Sequence, residues 1–147
     1  MIRCTLATIL FSLLLISCGS DDKQDDSVVN ELLGTWKTGC LDDSDEYTIT
    51  TLEVKEKTIN SQFTSYSTSS CENVLTSTPL ESTYTLGEEA TTILGNEIRN
   101  IDIMLQNGDV VIDIFKIEQG YLYFGEARDD ILRADTIDFT SWFEKQY

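Results

Sequence analysis

Three rhythms of apolar and polar positions succeed one another along the chain. The first is an apolar run from Leu6 to Ile16, broken only by Thr8 and Ser12 and preceded by the positive charge of Arg3. It falls short of the roughly 20 residues that cross a bilayer as a helix, and its order of charge then apolar stretch is that of an export signal. From Gly19 to Ser27 no apolar residue occurs and aspartate dominates. Such a segment has nothing to bury against the entropy of ordering it, so it reads as a flexible acidic tether. Val28, Val29, Leu32 and Leu33 then fall at helical spacing, predicting one or two helical turns between Ser27 as N-cap and Gly34 as stop.

Beyond Gly34 the period becomes two, the mark of strands with one buried face. Trp36, Thr38 and Cys40 alternate with polar neighbours, Tyr47 and Ile49 share a face, and Leu52 and Val54 have the opposite parity, which predicts a bulge near Thr50 and Thr51. Ile59 is in phase with Phe63, and Tyr84 with Leu86. Ile101, Ile103 and Leu105 define one half-buried strand and Val110, Ile112 and Ile114 the next, joined through Asn107-Gly108, a strong hairpin signal. Leu122 and Phe124 follow the turn Glu118-Gln119-Gly120, and Ile137 and Phe139 give a last strand before Trp142 and Phe143. About eight or nine short strands without a long helix make an all-β antiparallel barrel or sandwich. The tight turns favour an up-and-down meander.

Charge narrows the partners. With 26 acidic and 10 basic residues the net charge is −16, which repels a phosphate backbone and argues against nucleic acid. Its simplest meaning is a well-hydrated surface. About 130 residues after the signal suffice for one core without a metal.

Leu15-Ile16-Ser17-Cys18-Gly19 resembles the lipobox of bacterial lipoproteins. The resemblance implies a signal peptide over 1–17, cleavage before Cys18, and transfer of a lipid to its thiol, the thiolate being the nucleophile. The tether over 18–27 carries Asp21 and Asp22, which resemble the acidic export signal of lipoproteins displayed outside the outer membrane. The expected location is therefore the outer membrane of the cell envelope, reached through the N-terminal lipid, with the domain over 28–147 displayed at the surface.

Cys4 lies in the signal and Cys18 takes the lipid, leaving Cys40 and Cys71. In an exported chain the remaining pair is most simply one disulfide. No histidine is present, so neither a zinc site nor an activated cysteine nucleophile is expected.

Leu33-Gly34-Thr35-Trp36 after a short helical entry resembles the first-strand Gly-x-Trp signature of lipocalins and lipocalin-like bacterial lipoproteins. Together with Cys40, Cys71, Tyr121-Leu122-Tyr123-Phe124-Gly125 and Asp138-Phe139, it also resembles a group of exported bacterial proteins of this size. The resemblance implies a barrel whose floor Trp36 closes, a late arginine packed on that tryptophan, with Arg128 and Arg133 as candidates, and a calyx for a small apolar ligand. Trp36, Tyr47, Phe63, Tyr84 and Phe115 are the candidate ligand contacts, since an eight-stranded barrel can hold one small ligand. The same aromatic residues can equally fill a core, which leaves a non-enzymatic protein that contacts another envelope protein through loops and strand edges.

Catalytic and metal motifs are absent from the sequence. Asp42-Asp43-Ser44-Asp45-Glu46 lacks the spacing and glycine of a calcium loop and reads as a solvated turn, as do Glu88-Glu89 and Asp129-Asp130. No Gly-x-Ser-x-Gly elbow or phosphate-binding glycine loop occurs. A carboxylate pair for glycoside chemistry is a spatial arrangement that the sequence leaves open. The expectation is a protein that is no enzyme and carries no cofactor and no metal.

Overall fold

The computed structural model describes residues 26–43, 46–127 and 132–147. The signal over 1–17, Cys18 and the tether up to Asp25 lie outside the described residues, as do Ser44, Asp45, Arg128, Asp129 and Asp130. Helix α1 (Asp26–Leu32) starts one residue before the expected cap at Ser27. Its final carbonyls find donors inside the protein: the indole Nε1 of Trp36 donates to the oxygen of Leu32 at 2.7 Å, and the Leu33 N–H to that of Val29. Gly34, at φ 124°, turns the chain from helix to strand in a conformation that other residues rarely adopt.

Nine strands follow: β1 (Gly34–Lys37), β2 (Leu41–Asp43), β3 (Glu46–Val54), β4 (Thr58–Tyr66), β5 (Val74–Thr91), β6 (Glu97–Leu105), β7 (Val110–Glu118), β8 (Tyr121–Gly125) and β9 (Ile137–Gln146). From β3 to β9 each strand pairs antiparallel with the next, and β1 joins the two ends, with Trp36 opposite Lys145 of β9 and Leu52 of β3. The result is the expected all-β up-and-down barrel, closed by eight strands, with β2 as a short extra strand on β3. Closure gives every wall strand a neighbour on each side, although the first part of β5, before Ser82, is paired on one side only.

The turns are those the residues require. Gly108 has φ 91°, the Leu105 N–H donates to the oxygen of Asp109, and the Asn107 side chain accepts the Asp109 N–H. Gln119 and Gly120 both have positive φ, which matches the right-handed twist of strands joined by a two-residue loop.

Two local expectations change. No bulge interrupts β3 at Thr50 and Thr51, because its pairing with β4 runs unbroken from Tyr47↔Tyr66 to Val54↔Ile59. The switch in apolar parity arises because Tyr47 and Ile49 lie on the face opposite Leu52 and Val54. The second change is the length of β5, 18 residues, on whose inward face Leu80, Tyr84 and Leu86 are the large apolar side chains that are at least partly buried. Its first part pairs with β4 only, and β6 joins from Ser82 onward. Pro79 sits in that singly paired stretch opposite Gln62, where a missing N–H costs the sheet least.

The core fills the end of the barrel next to α1. Leu32, Trp36, Leu52, Val54, Ile59, Tyr84, Ile101, Phe115 and Leu122 form one buried cluster, and Leu33, Leu86, Ile103, Ile117, Phe124 and Phe143 pack against it. A smaller cluster of Ile98, Ile114 and Ile137, with Tyr123 and Ala134 against it, secures the segment before β9.

Candidate functional site: barrel floor and mouth

Strand direction gives the barrel two unlike ends. At the closed end lie α1, Trp36 and the turns β3–β4, β5–β6 and β7–β8; at the mouth lie the 67–73 and 106–109 turns and the segment before β9. Three of the five candidate ligand contacts meet at the closed end. Trp36 is fully buried, Tyr84 and Phe115 nearly so, and all three belong to the one core cluster. The Tyr84 hydroxyl donates to the oxygen of Lys55 at 2.9 Å, and burial raises its pKa, with Glu56 adding to the effect.

Phe63 shares the inward face, being opposite Thr50 and Thr78, but stands near the mouth and is 45 % exposed. The buried side chains beneath it, Thr38, Ser61 and Ser82, are small. Tyr47 lies elsewhere: its parity places it with Thr51 and exposed Glu53, on the outer face of β3. The residues that were candidates together thus divide among floor, mouth and outside.

The mouth carries an apolar rim. Phe63, Val74, Leu75, Met104, Val110 and Val111 are all exposed around it. Exposed apolar side chains gathered at one end mark a contact surface better than singly scattered ones do. The Cys40–Cys71 disulfide ties the start of β2 to the β4–β5 turn there, with Cα atoms 6.0 Å apart.

A polar cleft of about 760 Å³ opens at the closed end. It lies where β6 and β7 part beyond the pair Arg99↔Phe115. Arg99 Nε donates to the Gly87 oxygen at 3.1 Å, its Nη1 is buried without a hydrogen-bond partner, and the Glu89 carboxylate is 4.0 Å away. Glu31, Glu97 and Glu118 also line the cleft, with Lys116 bound to Glu118 at 3.2 Å. So acidic a rim disfavours fatty-acid carboxylates, and the cleft does not replace the expected apolar calyx.

The cation on Trp36 is Lys145, a residue the sequence reading missed. Its Nζ lies 4.9 Å from the Trp36 ring centroid. Arg133 instead donates to the backbone oxygens of Ile101 and Asp113 and to the Asp102 carboxylate, and Arg128 lies outside the described residues. Asp42 and Asp43 stand in β2 and Glu46 opens β3, all three exposed, and Glu88 and Glu89 lie within β5 and not in a turn. Among the described residues no group of histidine, cysteine or carboxylate side chains is placed to hold a metal ion, and no helix is long and apolar enough to cross a membrane.

Fold and site together define a closed eight-stranded antiparallel barrel with a packed floor and an apolar-rimmed mouth. No protein-family model matches the chain, and neither does any curated protein or solved structure with which it was compared.

Proposed function

We propose that this chain is a lipid-anchored lipoprotein of the outer membrane whose lipocalin-like barrel is a packed support, and whose apolar mouth contacts an envelope protein. The observation that carries the reading is the burial of Trp36, Tyr84 and Phe115 in one cluster. A deep calyx leaves interior positions without contacts, whereas these three side chains have them. Anchoring rests on Leu15-Ile16-Ser17-Cys18 and the acidic tether.

A second reading, a small apolar ligand held shallowly at the mouth, is favoured by Phe63, which faces inward yet is half-exposed above small side chains. Two experiments test the function. Labelling cells with a fatty-acid analogue marks the wild type and not Cys18→Ala; equal labelling contradicts anchoring. In a Phe63→Trp, Trp142→Phe variant, titration with oleate leaves the emission unchanged if the mouth serves a protein. A saturable shift there, with a melting temperature that rises with oleate concentration, favours the ligand reading instead.

A further inference from the structure

The three most exposed large apolar or aromatic side chains among the described residues are Ile93 (77 %), Leu94 (73 %) and the terminal Tyr147. All three lie at the closed end of the barrel. Ile93 and Leu94 form the tip of the β5–β6 hairpin, whose flanks line the same cleft as Glu31 of α1. Tyr147 follows Gln146, which pairs with Thr35 directly after α1. The end that carries these side chains is thus the end at which the chain arrives from Cys18.

The hairpin tip is built to leave water. From Ala90 to Asn96 there is no charged residue, in a chain whose net charge is −16. The base of the turn is tied within itself: the Thr92 N–H donates to the Asn96 oxygen and the Gly95 N–H to the Thr92 oxygen, both at 2.9 Å. The Asn96 N–H donates to Thr92 Oγ1 at 3.0 Å. Backbone groups already paired add little cost on entering an apolar medium, where unpaired ones are expensive. Tyrosine is enriched where a membrane meets water.

Reach fixes the geometry. Residues 18–25 span at most about 28 Å when fully extended, and the seven-residue helix adds about 10 Å. The nine-residue strands set the mouth up to about 30 Å beyond the closed end. A lipid on Cys18 therefore keeps the closed end within about 38 Å of the bilayer, and turning the mouth to the membrane instead would hold most of that length stretched across the barrel's height.

We infer that Ile93 and Leu94, with Tyr147 at the same end, dock the closed end of the barrel on the lipid bilayer, so that the domain stands on the membrane with its mouth toward the water. The inference rests on the proposed lipid at Cys18, and its occupant is a bilayer of electrically neutral headgroups, since Glu88, Glu89 and Glu97 flank the tip. The test uses mature protein purified from membranes, its lipid verified by mass, and reconstituted into phosphatidylcholine vesicles with brominated chains. In a Trp142→Phe background, Leu94→Trp emission shifts to the blue and is quenched several-fold more strongly than that of Val110→Trp, a reporter at the mouth. Equal quenching of the two reporters, or none at Leu94→Trp, in lipidated protein overturns the docking while leaving the anchor in place. Protein whose Cys18 bears no lipid overturns the anchoring reading and the docking that rests on it.

Discussion

Lys145 of β9 and Trp36 of β1 lock the two ends of the chain together: the ammonium lies 4.9 Å from the indole centroid and donates to the Glu31 carbonyl oxygen at 2.6 Å. One side chain thus covers the ring on which the floor is built and caps α1. Replacing it with an apolar chain of similar length removes the charge and the hydrogen bond but keeps most of the packing. Lys145→Met is expected to cost about 1–2 kcal/mol, combining a cation–π contact with a charged hydrogen bond. Urea unfolding measures this, and a Lys145→Met midpoint equal to the wild type contradicts the role.

The disulfide closes a separation of 31 positions. Constraining the unfolded chain over such a loop is worth roughly 3.5 to 4 kcal/mol before any native strain is subtracted. Cys71→Ser and the double variant with Cys40→Ser should therefore lose a similar few kcal/mol, since either change removes the same bridge. Equilibrium unfolding of the oxidised protein and both variants checks this; unchanged midpoints oppose it.

Asp113 gives the stability a pH dependence. Burial raises its pKa above that of an ordinary aspartate, against the N–H groups of Ile114 and Gly125 and the charge of Arg133, which act to lower it. A carboxyl whose folded pKa exceeds its unfolded one binds its proton more tightly in the barrel. Its contribution to stability is complete below the unfolded value and lost as pH rises through the folded value. Asp113→Asn keeps an oxygen for the Ile114 and Gly125 donors, at 2.7 and 3.2 Å, and cannot ionise. The stability of this variant relative to wild type should rise as pH rises from the ordinary aspartate value, about 4, through the raised folded one. A flat or falling difference refutes the assignment.

What could be read from the sequence was local. Asn107-Gly108 marked its hairpin, and the alternation of Ile101, Ile103 and Leu105 with polar residues marked a strand, because turn chemistry and side-chain parity act over a few positions. Gly34-Thr35-Trp36 marked the floor by resemblance. Lys145 escaped because its bond to Glu31 joins residues 114 positions apart, a partnership set by which strand closes the barrel. Tyr47 escaped for the opposite reason. Its alternation with Ile49 looks like a buried face, yet only the pairing with β4 reveals that Leu52 and Val54 occupy the inside. Most of β5 carries threonine, serine and glutamate on both faces, so neither its length nor its course beside Pro79 leaves an apolar rhythm to follow.

Trp36 reports directly on the packed floor. In a Trp142→Phe variant Trp36 is the sole tryptophan, sealed among core side chains. Titration with oleate and other apolar probes, followed by its fluorescence, is the decisive measurement. The expected result is an emission maximum and intensity that stay constant across the titration, because no ligand reaches the closed end. A saturable shift of Trp36 emission, accompanied by a melting temperature that climbs with probe concentration, would show a ligand at the floor and rule out a packed one.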